Sequence, residues 1–226
     1  MRLRSLVKPV IDRVVPPLAR WYLRKPRRYR HDGLTLVVPP DVFHPGLFLS
    51  TRFMLAHLRR GPLLHGQKIL EMGSGSGLLS IWCARAGGEV TALDISPAAV
   101  QATRDNARRN AVSLDVRPSD LFGAVAPQPF DLLIVNPPYY PRSATTDAEH
   151  AWFCGPEFEY FHGFFGQLTD YVAPDGQVKM VLSEDCALET IREIAAGQGW
   201  AMVELERRRR WAEWNYIFGC VREPRA

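Results

Sequence analysis

Residues Gln67–Gly77 read QKILEMGSGSG. An apolar-rich strand, Gln67–Met72, passes without a break into Gly73-Ser74-Gly75-Ser76-Gly77, and Leu78–Ala86 continues as a helix. Glycines at that junction let the backbone turn sharply and approach a ligand closely, as happens at the first turn of a doubly wound α/β sheet. Further strands are predicted outward from it at Leu34–Val38, Glu89–Asp94, Leu114–Arg117, Phe130–Val135 and Gln177–Leu182. Helices are predicted at Ser50–Leu58, from Pro97 (after a Ser96 cap) to Asn110, from Pro156 to about Val172, and at Ala187–Ala196. Alternating strands and helices specify an α/β fold with a doubly wound, mostly parallel seven-stranded sheet. The last two strands, Ala201–Arg209 and Trp211–Val221, have no helix between them and close the sheet as an antiparallel hairpin.

The second informative stretch is Asp131–Tyr140, DLLIVNPPYY. Leu132–Val135 has the uninterrupted apolar character of a buried parallel strand. Pro137 and Pro138 end its pairing, so Asn136 and Tyr139 are presented at a strand's carboxyl end, where ligands of open α/β sheets sit. The Asn136 side-chain carbonyl and a backbone carbonyl of the turn form two acceptors that hold both hydrogens of an NH2 group. An amide or aromatic amine is a poor nucleophile because its lone pair is delocalised, and such a grip helps to localise it. Tyr139 is expected to stack on the flat acceptor. The plain alternative is a strand closed by a Pro-Pro turn with Asn136 as a turn residue.

The glycine run departs from a dinucleotide GxGxxG, because Leu78 holds the last position and the third glycine comes one residue early, at Gly77. Glu71, two residues before Gly73, suits a ligand with a cationic amine better than a pyrophosphate. Asp94 follows Gly73 by 21 residues and ends the second strand of the series, where an acid accepts ribose hydroxyls. Ser74 in the glycine turn and Ile95 beside Asp94 join the expected ligand contacts. Asp120 can accept from an adenine amine, with Leu121 and Phe122 packing on the ring. The simpler readings are a turn that only permits helix–strand packing, Asp94 as a helix cap, and Asp120 as a loop acid.

EMGSGSG, Asp94 and NPPY, in this order, resemble class I S-adenosylmethionine-dependent methyltransferases. Within them the chain is similar to the small-domain group that contains the release-factor glutamine methyltransferases and several adenine-amine RNA methyltransferases. The resemblance covers residues 41–221. It implies S-adenosyl-L-methionine as cofactor, with Gly73, Gly75 and Gly77 flanking its methionine end near Glu71, Asp94 on the ribose and Asp120 near the adenine. It also implies that Asn136, Pro137, Pro138 and Tyr139 grip the target nitrogen. The segment Glu149–Gly155 resembles the glycine-containing stretch after the catalytic motif of the glutamine methyltransferases. N-methylation of a protein glutamine amide is the leading expectation; adenine in RNA or DNA, or a small-molecule amine, is the alternative. The chain departs from the release-factor enzymes in lacking room, in residues 1–30, for their helical N-terminal domain.

Composition sets the remaining bounds. With 226 residues, 46% hydrophobic and 23% charged, the chain suits one soluble domain. No apolar run reaches membrane-spanning length, and the four cysteines and six histidines fall at no metal-ligand spacing. Scattered cysteines without a CxxC pair fit reduced thiols and a cytoplasmic location. The net charge of +4 divides into +9 over residues 1–30 and −5 over the rest. Residues 1–30 are therefore set apart as a basic helical arm suited to an anionic partner (nucleic acid, ribosome or membrane surface), and residues 31–226 as the methyltransferase domain.

Overall fold

A computed structural model describes residues 23–210 and 213–223. Its first elements are strands β1 (Arg27–His31) and β2 (Leu34–Val38), a hairpin turning through Asp32 and Gly33 at φ 53° and 73°. Positive φ at both turn residues matches the right-handed strand twist, which is why Asp-Gly favours such hairpins. This corrects the assignment of the arm's end: Arg27–Arg30 form a strand, with Tyr29 packed on the body, and not the tail of a helix. Most of the helical arm expected over residues 1–30 falls on residues 1–22, outside the described residues.

The hairpin is followed by α1 (Leu49–Leu58), β3 (Lys68–Met72), α2 (Leu78–Arg85), β4 (Glu89–Asp94), α3 (Pro97–Arg109), β5 (Asp115–Pro118) and β6 (Phe130–Val135). Then come α4 (Glu159–Leu168), β7 (Val172–Ser183), α5 (Leu188–Gly197), β8 (Trp200–Arg210) and β9 (Glu213–Arg222). Seven strands form one sheet in the order β5-β4-β3-β6-β7-β9-β8. Strands β3 to β7 pair in parallel, and β9 runs antiparallel to both neighbours, as the fold-class expectation had it. The helix expected over Pro156–Val172 is shorter at both ends. Phe158 sits at φ 58°, where a helix cannot run, and Val172 pairs with Phe130 as part of β7. The Pro174-Asp175-Gly176 turn lies inside β7 as a bulge, across which pairing jumps from Phe130–Val172 to Leu132–Gln177.

Side-chain alternation along the central strands separates two cores. Leu70, Met72, Leu133 and Val135 face α4 and α5, with Phe161, Phe164 and Phe165 fully buried among them. Ile69, Leu132 and Ile134 face α1 and α2. Asn106 of α3, fully buried, joins the β1–β2 hairpin to the glycine turn. Its amide bonds Val37 N (2.8 Å) and Val37 O (2.9 Å) and donates to Ser76 O (3.0 Å).

Candidate active site

A cavity of about 360 Å³ opens at the carboxyl ends of β3, β4, β5 and β6, within the range that suits a small-molecule ligand. Gly73 N and Ser74 N both donate to Leu93 O (2.9 Å each), which fastens the glycine turn to β4. Asp94 completes the turn: Oδ2 accepts from Gly75 N (2.8 Å) and Oδ1 from Ser96 N (2.9 Å). The cap of α3 is Ser96, whose Oγ accepts from Ala99 N (3.4 Å), so Asp94 is not the N-cap. Each Asp94 oxygen keeps a lone pair for the cavity. Burial raises the Asp94 pKa, against the bonds from Gly75 and Ser96 and the nearby His150.

The three glycines divide by role. Gly73 and Gly75 have positive φ (76° and 54°) and line the cavity, and a Cβ on either would meet nothing nearer than 3.8 Å. The room in front of them belongs to the cavity. Gly77, expected beside the ligand, does not line it. It caps α2 at φ 83°, and a Cβ there would lie 3.0 Å from Thr103 Cγ2 and 3.2 Å from Ile81 Cδ1. Gly77 brings α2 against α3. Gly77→Ala combines a left-handed penalty of about 1–2 kcal/mol with overpacking of about 1–3 kcal/mol, so its Tm in thermal unfolding is expected to fall by several degrees. An unchanged Tm would remove this packing role.

Glu71 is buried on the α2 side of β3, and its Oε2 accepts from Ser80 N (2.8 Å) and Ser80 Oγ. Burial pushes its pKa up to about 8 from 4.5, against the Ser80 bonds and helped by Asp94. The folded state therefore holds a proton that the unfolded chain has lost between pH 4.5 and about 8. That stability is fully present below pH 4.5 and is lost as pH rises through about 8, by at most about 1.4 kcal/mol per pH unit. Chemical denaturation across this window should show a smaller fall in Glu71→Gln; an identical slope would place the titration elsewhere.

Asn136 lines the cavity next to the glycine turn, its backbone O 3.9 Å from the Cβ position of Gly73. Among the described residues no hydrogen bond engages its carboxamide, which stays available to a ligand. Pro138 also lines the cavity; Pro137 is buried behind it. Tyr139 departs from expectation. Tyr139 N and Tyr140 N donate to Trp152 O (3.1 and 2.9 Å), and the Tyr139 ring packs against the α4–α5 core beside Tyr140, with centroids 4.7 Å apart. It is not a wall of the cavity. Burial raises its phenol pKa, with Tyr140 adding to the shift. Asp120 and Leu121 line the cavity as expected. Phe122 does not; it is fully buried and stacks on Tyr171 at 4.2 Å.

The family-level comparison fits this geometry. The model of the methyltransferase small domain matches residues 33–196. The chain belongs to that family. The "Putative protein N5-glutamine methyltransferase" of Methanocaldococcus jannaschii is 35% identical over 113 residues, 50% of this chain and 54% of that protein. Ribosomal RNA small subunit methyltransferase C of Chromohalobacter salexigens is 36% identical over 132 residues, 57% of this chain and 37% of that protein. This chain thus spans about half or less of the curated relatives it matches. Among solved structures, the Thermus thermophilus 16S rRNA N2 methyltransferase, in complex with AdoMet and guanosine, superposes with a TM-score of 0.66 at 21% identity. The match covers 88% of this chain and 50% of that one.

Several walls of this small-domain cavity were not legible from motifs. Asp41, Val42, Phe43 and Pro45 close one side, and His150, Phe153, Cys154 and Tyr160 the other. The two sides meet through rings: Phe43 lies 4.7 Å from Phe48 and 5.3 Å from Trp152, and Phe48 lies 4.6 Å from Trp152. Tyr160 stands near both Asp94 and Asp120; burial, then those carboxylates, raises its pKa. Asp41, Glu71, Asp94, Asp120, Asp147 and Glu159 all line the cavity, and no Lys or Arg does among the described residues. His44, buried at 4%, lies outside it. Among the described residues no helix is long and apolar enough to cross a membrane, and no group of three or more His, Cys, Asp or Glu is arranged to hold a metal ion.

Proposed function

We propose that this chain is an S-adenosylmethionine-dependent N-methyltransferase that acts on a planar NH2 group. The carrying observation is the Asn136 carboxamide, which has no hydrogen-bond partner among the described residues and stands beside the glycine turn in a cavity whose lining is acidic. The donor set suits the cofactor. Asp94 offers ribose acceptors, Asp120 an acceptor at the adenine end, and Ile95, 41% exposed at the wall, a flat apolar surface for the base. Asp41, Asp120, Asp147 and Glu159 favour a ligand with ammonium and sulfonium charges, and such a ligand would also draw the proton off Glu71. Bound there, S-adenosylmethionine supplies a methyl group on a good leaving group, so the protein's contribution is positioning and charge placement. Asn136 orients the acceptor nitrogen through both hydrogens and favours its developing positive charge. Phe43 of the cavity wall, backed by the rings of Phe48 and Trp152, narrows access by water.

Two acceptors share this chemistry. A glutamine side-chain amide is supported by the name of the M. jannaschii relative, and the exocyclic amine of a nucleobase by the ribosomal RNA methyltransferases. The deciding experiment is transfer of a labelled methyl from S-adenosylmethionine into cell lysate, followed by nuclease or protease digestion of the labelled fraction. Label in neither fraction, with the cofactor bound, would overturn the transferase reading.

A further inference from the structure

We propose that the hairpin tip formed by Arg207–Arg209 of β8 and Trp214 of β9, together with Arg142, is an RNA-backbone contact surface beside the cavity mouth, which presents an RNA base to Asn136. The proposal rests on the reading of the cavity as a methyl-transfer site and names its acceptor class.

Sheet register fixes where the tip stands. Val135 pairs with Met180, Met180 with Phe218, and Phe218 with Glu204, which marks one level across four strands. Arg209 pairs with Trp214, four residues further along β9, so the tip rises roughly 13 Å above that level at about 3.3 Å per residue. It rises on the side where β6 delivers Asn136. Three strand spacings separate β6 from β8, roughly 14 Å laterally. Glu213, which opens β9, is near enough to influence the phenols of Tyr139 and Tyr140, so the tip adjoins the NPPYY turn. Arg142 follows that turn on the same rim, 6.0 Å from the ring of Phe153, itself a cavity wall.

The tip carries the groups that recognise a single-stranded polyanion with bases. Arg207 and Arg209 flank one ring, Trp214, at 5.4 and 5.8 Å. Arg208 lies over Phe53 on the opposite face, at 5.2 Å. The side chains of Arg207 and Arg208 are 61% and 52% exposed, and their contacts to Glu204 and Glu206 are long, 3.5 and 3.6 Å. Arg209 and Arg142 have no ion pair among the described residues. Arginines interleaved with a tryptophan combine phosphate contact with a stacking surface. A tryptophan among arginines also suits a lipid interface, but the cavity beside the rim, of a size for a small ligand, gives a planar base a place to enter that a lipid surface does not use. The acidic cavity lining complements the arginine rim: it repels phosphates yet admits a neutral base, so the backbone stays outside while one nucleotide turns in. An unpaired or flipped nucleotide fits this arrangement.

The test uses the full chain and a fluorescein-labelled single-stranded RNA of mixed sequence, read by anisotropy over a salt series. For wild type against the combined Arg142→Ala, Arg207→Ala and Arg209→Ala variant, the slope of log affinity on log salt should become less negative by roughly 2, from about 0.7 per phosphate contact. Affinity near physiological salt should fall by at least about tenfold. Trp214→Leu should weaken binding about tenfold with the slope unchanged, because stacking is not a counterion effect. S-adenosylhomocysteine binding by calorimetry should be the same in every variant, which also checks the fold. Equal slopes for wild type and the combined variant would overturn the surface. So would wild-type transfer by that variant into lysate protein with none into RNA. If S-adenosylhomocysteine fails to bind while the slope still changes, the transferase reading falls and the surface stands. If it binds and the slope does not change, the surface alone falls.

Discussion

In an Asn136→Ala variant, methyl transfer falls by about 10²–10³-fold while S-adenosylhomocysteine binds as in wild type, the size of effect that loss of one transition-state hydrogen-bonding group has elsewhere. The reason is where the residue sits. Leu132–Val135 are buried in β6 between β3 and β7, and Pro137 and Pro138 stiffen the chain immediately after it. The backbone at residue 136 is therefore held from both sides, so truncating the side chain removes an acceptor without displacing the turn. The glycine turn and Asp94 are fixed by their own bonds to β4 and α3, which is why cofactor affinity should survive. Single-turnover transfer and calorimetry on the same preparation separate the two effects. Asn136→Asp sharpens the result: it keeps acceptor oxygens but adds a seventh carboxylate to an already acidic lining, so it should recover only part of the loss. Transfer by Asn136→Ala at the wild-type rate would remove Asn136 from the proposed mechanism.

The reading of the sequence succeeded where local chemistry and tertiary structure agree. Leu34–Val38, Glu89–Asp94 and Phe130–Val135 were legible to the residue because apolar runs end there at prolines, an acid or an asparagine. Of the acids that line the cavity, Glu71, Asp94 and Asp120 were legible because they lie at or just beyond the carboxyl end of a strand, whereas Asp41, Asp147 and Glu159 have no such mark. Elsewhere the outcome depended on distant partners. Arg27–His31 looks like a charge run, and only the Asp32-Gly33 turn and the burial of Tyr29 make it a strand. Gly77 resembles its neighbours in sequence, yet Thr103, far along the chain, turns it into a helix-packing residue. Tyr139 follows Asn136 in the motif but is turned away by two bonds to Trp152 O. The aromatic stretch from Trp152 to Phe165 divides within a few residues. Phe161, Phe164 and Phe165 fill the core, while Phe153 and Tyr160 line the cavity. Helical spacing alone does not distinguish a ring that meets another helix from one that meets a ligand.

The second large effect is on Asp94. Asp94→Ala should weaken S-adenosylhomocysteine binding by about 10²-fold or more and lower Tm as well. Two separate losses add here. The first is the pair of acceptors offered to a ribose; hydrogen bonds to a charged group contribute about 1.5–3 kcal/mol each. The second is internal: Gly75 N and Ser96 N lose their acceptor, and a donor left unsatisfied in a buried site costs about 1–3 kcal/mol. The same carboxylate shapes the turn and is the proposed ribose acceptor, so a truncated side chain should damage both. Asp94→Asn separates them. Its single carbonyl oxygen can satisfy Gly75 N or Ser96 N but not both, and its NH2 group faces the other donor, so the turn should loosen nearly as much as in the alanine variant. The NH2 group still donates to a ribose oxygen, so affinity should fall less than in Asp94→Ala. Calorimetry gives the affinity and thermal unfolding the stability. Equal affinity for wild type and Asp94→Ala would show that no ligand hydroxyl is held there, whatever happens to Tm. A fall in Tm without a fall in affinity would leave Asp94 as a brace for the glycine turn alone.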